Sequence, residues 1–188
     1  MNNSKILSLI KEPNPLLHQK SETVDLINFE TKVFCSSLIA TMKYYNGLGI
    51  AAVQVGCLKK IIAIDMTNID SSCNIPLGFK QGPQVLINPE IIEKSKEQKG
   101  YIEGCLSFGN IFPEVIRCNK IKVKYQDLDK KINFLEVSDS IMAACLQHEI
   151  DHTNGIVFLD RISKIKRDFM LKKYLKWKKL QLKKVISK

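Results

Sequence analysis

Histidine and tryptophan are scarce in this chain: 188 residues contain three His and one Trp. No stretch approaches the ~18 consecutive apolar residues of a membrane-spanning helix, and the first twenty residues lack the apolar centre of a signal peptide. A cytoplasmic chain with no membrane partner is therefore expected. The six cysteines, Cys35, Cys57, Cys73, Cys105, Cys118 and Cys145, lack any paired framework, which in that compartment reads as reduced thiols. Glutamate is absent beyond position 160. There are no internal repeats.

What is present is ordinary for a globular domain: 45% hydrophobic and 26% charged residues, in a length that fits one domain with a sizeable core. The net charge of +10 is unevenly spread. Residues 161–188 hold 12 Lys+Arg and one acid, Asp168, giving +11, so the remaining 160 residues sum to −1. Among the lysines of Ser163 to Ile186 stand Ile165, Phe169, Tyr174, Leu175, Trp177 and Leu182, a pattern that predicts an amphipathic terminal helix with a basic face. Such dense like charge points to a polyanionic partner.

Gln147-His148-Glu149-Ile150-Asp151-His152 is the segment around which the chain is organised. Ile141 to Leu146 is a run of helix formers, with Ser138, Asp139 and Ser140 as candidate N-caps and Gly155 suited to the left-handed residue beyond the helix end. His148 and His152 are thus i and i+4 on one face, close enough for both imidazoles to bind one metal ion. Glu149 lies beside them, able to reach a water on that ion. Ile141, Ala144 and Cys145 share the His148 face. The remaining histidine, His18, is far away, so a third ligand must be Cys, Asp or Glu from elsewhere.

Elsewhere the pattern alternates between strands and turns. Pro13-Asn14-Pro15 forbids a continuous helix and predicts an extended arm over residues 5–25. Apolar spacing predicts a helix over roughly 28–45, ended by Asn46-Gly47. In Gly47-Leu48-Gly49-Ile50-Ala51-Ala52-Val53-Gln54, small residues allow close backbone approach, and Gln54 is the one polar side chain in an apolar run. Ile61–Asp65 and Gln84–Asn88 read as strands, Thr67–Pro83 as a loop, and Ile91–Gln98 as an extension of the sheet. Glu103–Ser107 is turn-like. Lys120–Tyr125 alternates as a half-buried strand, turns at Asp127–Lys130 and returns as Ile132–Val137. The expected class is α+β: antiparallel sheets packed around a central helix carrying the H-E-x-x-H motif, with a C-terminal helix.

Gly47–Gln54, Glu103–Ser107 and Gln147–His152 together resemble, in order, type and spacing, the three signature motifs of bacterial peptide deformylase. Pro13-Asn14-Pro15-Leu16-Leu17, Ile87-Asn88-Pro89-Glu90 and Gly155–Arg161 support the likeness, which spans about residues 5 to 165. The resemblance implies an enzyme that removes the N-formyl group from the initiator methionine of nascent polypeptides and releases formate. It implies Cys105, His148 and His152 as metal ligands with water as the fourth, and one Fe(2+) per chain, for which Zn2+, Ni2+ or Co2+ can substitute in purified protein. It further implies Glu149 as the proton carrier, with the Gln54 side-chain amide and the Leu106 backbone N–H as donors to the developing oxyanion.

Ile141, Ala144 and Cys145 are expected to line a slot for the methionine side chain, closed by Leu48 and Glu103. Leu48, Gly49 and Gly104 are expected to hydrogen-bond the peptide backbone. Arg117 and Asp151 are candidates for an ion pair behind the ligands. Residues 1–165 would form the catalytic domain and 166–188 a basic helix of the same domain, which in some family members docks on the ribosome; ribosomal RNA is then the polyanion. A monomer is expected.

Two positions depart from the family: Thr153 replaces a leucine, and position 109, two residues after Ser107, is Gly where proline is common. Other H-E-x-x-H peptidases fit poorly, because Phe158 stands where a metzincin places a third His and no Glu follows in 161–188. An RNA-binding module with structural zinc would leave Glu149 and Gln54 without roles.

Overall fold

The computed structural model describes residues 4–67, 82–138 and 140–186. Most of the expected loop Thr67–Pro83, and the cap candidate Asp139, lie outside them. In chain order the elements are α1 (Phe29–Tyr44), β1 (Gly49–Ala51), β2 (Ile61–Ile64), β3 (Gln84–Lys94), β4 (Gln98–Ile102), β5 (Glu114–Cys118), β6 (Lys120–Gln126), β7 (Ile132–Ser138), α2 (Ile141–Thr153) and α3 (Lys164–Ile186). The arm is extended except for one 3-10 turn, Pro15–His18. The α+β expectation holds.

Five antiparallel strands form one sheet in the order β1-β2-β3-β6-β7, and β4 and β5 form a separate two-stranded sheet. Alternation along β2 explains why the larger sheet is covered on both faces. Ile62 and Ile64 pack with Met142, Ala143, Leu146 and Ile150 of α2. Ile61 and Ala63 pack instead with Cys35, Leu38 and Met42 of α1. A third cluster joins Leu17, Cys105, Phe108, Val115, Phe158 and Tyr174, bringing arm, small sheet and α3 together.

Two expectations are corrected. Residues 91–98 do not form one extension: β3 runs to Lys94, then the chain turns and Gln98 opens β4 in the other sheet. On α3, Ile165, Phe169 and Leu175 are exposed, whereas Met170, Leu171, Tyr174 and Trp177 face the core, spaced as one helical stripe.

Candidate active site

Ser140 begins α2, its Oγ accepting from the Ala143 N–H at 3.2 Å. Past the helix end Gly155 takes φ +72°, and a methyl group there would lie 2.7 Å from the His18 carbonyl oxygen. Between these limits one face of α2 presents His148 and His152, ring centroids 5.0 Å apart, both buried. Gln147 ties the helix to β5, donating to the Cys118 carbonyl at 2.9 Å and accepting from the Cys118 N–H at 3.1 Å.

The loop from β4 to β5 brings Cys105 against that face. Its Sγ lies 3.3 Å from His152 Nε2, and one ligand atom each from Cys105, His148 and His152 fall within 4.8 Å of one another. Sulfur plus two imidazoles suits a borderline-soft divalent ion, and three protein ligands are the number a catalytic tetrahedral site uses. His148 Nδ1 is committed to Glu103 Oε2 at 2.8 Å, which leaves Nε2 as its ligand atom. Oε2 of Glu149 is buried with no hydrogen-bond partner among the described residues, as fits a carboxylate waiting on a cation's water. The residues present therefore fit a catalytic metal.

Behind the histidines runs a buried ionic chain. Arg117 donates to Glu103 through Nε at 2.6 Å and Nη2 at 2.9 Å, and through Nη1 to Asp151 at 2.5 Å. Arg161 closes the other side of Asp151, Nε to Oδ2 at 2.9 Å. Burial alone would raise the Glu103 carboxyl, but Arg117 and His148 hold it down at about 2. Burial pushes Glu149 in the opposite direction, up to about 7, with Glu103 adding to the shift. Two carboxyls of one site are thus held far apart in acidity, one a permanent anion and one poised to exchange a proton near neutrality.

Gln54 is fixed by its own turn. Its Oε1 accepts from the Ala51 N–H at 2.8 Å, which points Nε2 toward Ser107 Oγ at 3.2 Å and Cys105 Sγ at 3.5 Å. Gly49 is bare because Glu149 lies on it: a methyl group there would sit 2.6 Å from Oε1.

A cavity of about 880 Å³ opens onto this group. Leu48, Gly49, Gln54, Glu103, Gly104, Leu106, Ile141, Ala144, Cys145 and Glu149 all line it, beside Cys105 and His148. His152 sits behind, fully buried. Glu103 borders the cavity, as expected of a residue at the slot, and its carboxylate is also bonded to Arg117 and His148. The sequence reading missed Arg161, and the lining residues Lys11, Tyr45, Ile102, Phe112 and Trp177. The helical register of Trp177 was the available signal, although its partner surface is distant in sequence. Phe158, at the position where a metzincin places a His, packs its ring on His148, centroids 5.7 Å apart.

A family model described as Polypeptide deformylase matches residues 6–168. The chain belongs to the peptide deformylase family. It is 40% identical over 171 residues to the peptide deformylase of Mesorhizobium japonicum, covering 91% of this chain and 92% of that one. It is also 40% identical over 168 residues to that of Brucella suis, covering 89% and 91%. Among solved structures, peptide deformylase from Ehrlichia chaffeensis superposes with a TM-score of 0.86 at 35% identity, over 95% of this chain and 99% of that one. A second structure of the Ehrlichia enzyme, in complex with actinonin, gives 0.81 at 36% identity over 91% and 96%.

The chain is accordingly a metal-dependent hydrolase that removes the N-formyl group from nascent polypeptides. Of the two departures from the family pattern, Thr153 is buried and satisfied, its hydroxyl donating to the Ile150 carbonyl at 2.8 Å. Gly109 takes φ +65°, which proline's ring forbids.

Proposed function

We propose that Cys105, His148 and His152 hold the metal and that Glu149 carries the proton in deformylation. The proximity of one thiol and two imidazoles within 4.8 Å, with Glu149 on the cavity wall beside them, carries this reading. A divalent ion bound there supplies charge that lowers the pKa of a water from about 15.7 toward roughly 7 and polarises the formyl carbonyl. Glu149 accepts a proton from the attacking water, whose oxygen bonds to the formyl carbon. As the C–N bond breaks, Glu149 returns the proton to the leaving amine, and formate and a free methionine amine result. The Gln54 Nε2 and the Leu106 N–H donate to the oxyanion; removing the Gln54 donor raises the barrier by about 2.7–4 kcal/mol.

The apolar side chains of Ile141, Ala144 and Cys145 receive the methionine, with Leu48 at the rim. The backbones of Leu48, Gly49 and Gly104 receive the peptide. Cys/His/His suits Fe(2+) or Zn2+ alike, and the family likeness is what favours Fe(2+) in the cell, with zinc, nickel or cobalt able to replace it. The chain acts as a monomer in the cytoplasm, a reducing compartment in which the five free cysteines among the described residues stay thiols. Residues 1–165 and the helix from 166 work as one domain, because Tyr174 and Cys105 share a buried cluster. The exposed lysines of α3 meet ribosomal RNA.

Formate release from a formyl-Met tripeptide, with Glu149→Ala as control, tests the assignment, alongside metal analysis of anaerobically purified protein. Release that persists in Glu149→Ala, or metal retained without Cys105, would overturn it.

A further inference from the structure

The turn that carries Cys105 and Leu106 is not held by its own hairpin alone. Phe108 N–H donates to the Cys105 carbonyl at 3.0 Å, closing the turn. Two of its carbonyls are taken by the arm: Glu12 N–H donates to the Ser107 carbonyl at 3.1 Å, and Lys11 Nζ to the Leu106 carbonyl. One residue earlier, Ile10 N–H donates to the Gln54 carbonyl at 2.8 Å. Three successive arm residues therefore grip both segments assigned to the oxyanion.

The arm is itself pinned from the far end of the chain. The Glu12 carbonyl accepts from Tyr174 Oη at 2.6 Å and from Lys178 Nζ at 2.6 Å. Both donors are on α3, and Tyr174 is 1% exposed. Around this strut the packing is continuous. The Tyr174 ring meets Phe108, centroids 5.7 Å apart, and stacks with Trp177 at 6.0 Å. Trp177 lies against Gly109, where a methyl group would come within 2.3 Å of the indole, and borders the catalytic cavity.

We infer that α3 is a positioning element for the oxyanion-binding turn, with Tyr174 and Lys178 acting through the backbone on either side of the Glu12 Cα to fix Ser107 and hence the Leu106 N–H. This rests on Leu106 serving as an oxyanion donor. Neither side chain touches the reacting atoms. Their effect is on where the donor stands when charge develops, a quantity to which turnover is sensitive and ground-state peptide binding is not.

The test uses the full-length, metal-loaded enzyme. Tyr174→Phe and Lys178→Met each remove one donor to Glu12 while keeping the packing. Each lowers kcat about 3- to 10-fold, the worth of one hydrogen bond. The double variant loses more, while KM and metal content hold. Lys178→Arg restores kcat, and Gln181→Ala, exposed on the same helix, leaves it unchanged. Amide hydrogen exchange over residues 105–108 quickens in the same variants by a matching factor. Unchanged kcat, unchanged exchange, or kcat, KM and metal content failing together would each overturn the inference. Were the wild type to release no formate, the Leu106 role would fall, and the exchange comparison would still decide whether α3 fixes the turn.

Discussion

Glu103 and His148 are 45 residues apart in sequence, and their side chains meet at 2.8 Å, Oε2 to Nδ1, with less than a tenth of either exposed. The contact fixes which imidazole nitrogen is left to bind a metal, and it places a full negative charge behind that imidazole. A carboxylate in this position raises ligand basicity and holds the ring's orientation. Glu103→Gln keeps the shape and removes the charge. It is expected to weaken zinc binding about 10- to 100-fold, read by competition with a chromophoric chelator. Because Arg117 then retains only Asp151 as a full counter-ion, the apoprotein is also expected to melt earlier.

Gly49 and Glu149 offer a second check, since the base rests directly on the bare glycine backbone. A methyl group at position 49 would lie 2.6 Å from Glu149 Oε1, 2.7 Å from its Cγ and 2.9 Å from Cys145 Sγ. Gly49→Ala therefore displaces the carboxylate without touching Cys105, His148 or His152. A shift of about 1 Å in a reacting group costs on the order of 100-fold in rate. The expected outcome is a kcat loss of that order with metal stoichiometry unchanged; a fall in bound metal would show the damage lies elsewhere.

Which parts of this site could be read in advance follows from how far each signal extends along the chain. His148 and His152 lie within one helical turn of each other, so a local period exposes them. Cys105 reaches them only through a loop between two strands, and no spacing rule links it to α2; the family likeness alone identified it. Strand β5 escaped notice for a different reason. Its inward positions are Val115 and Arg117, while Ile116 faces outward and is 51% exposed. A buried arginine alternating with an exposed isoleucine inverts the usual hydropathy pattern, and that inversion is itself the trace of the ion pair to Glu103 and Asp151. The terminal helix was legible as amphipathic, but which of its apolar residues face inward depends on the arm and on the turn at Phe108, both far away in sequence.

Asp65 links acid stability to the cavity wall. It follows β2, its N–H donates to the Leu48 carbonyl at 2.8 Å, and its Oδ1 accepts from the Thr67 hydroxyl at 2.6 Å and the Thr67 N–H at 3.1 Å. Burial raises its pKa, but the Thr67 hydrogen bonds and nearby Lys43 outweigh that and hold it below the usual 3.8. A folded-state value lower than the unfolded one means that its contribution is complete above pH 3.8 and is lost as pH falls through the lower value. Asp65→Asn is thus expected to lower stability by about 1.5 kcal/mol at pH 7, with the gap to wild type closing below pH 3.8. Thermal melts of the two proteins across that range measure it; a gap independent of pH would show that charge is not the cause.

The exposed side of α3 gives the last prediction. Lys172, Lys173, Lys176 and Lys179 are all exposed, whereas Tyr174 and Trp177 between them face inward. Deleting the helix would remove core and charge together, so point substitution separates the two. Replacing these four lysines with glutamine leaves the inward stripe intact and is expected to leave formate release from a short peptide unchanged. Binding to ribosomes should weaken, and its dependence on salt should flatten. Each lost phosphate contact removes about 0.7–0.9 from the slope of log affinity against log salt, so four contacts account for a change of about 3. Co-sedimentation with ribosomes over a salt series reads this slope. An unaltered slope would show that the basic face of α3 meets no nucleic-acid phosphate, whatever else the helix does for the turn beneath it.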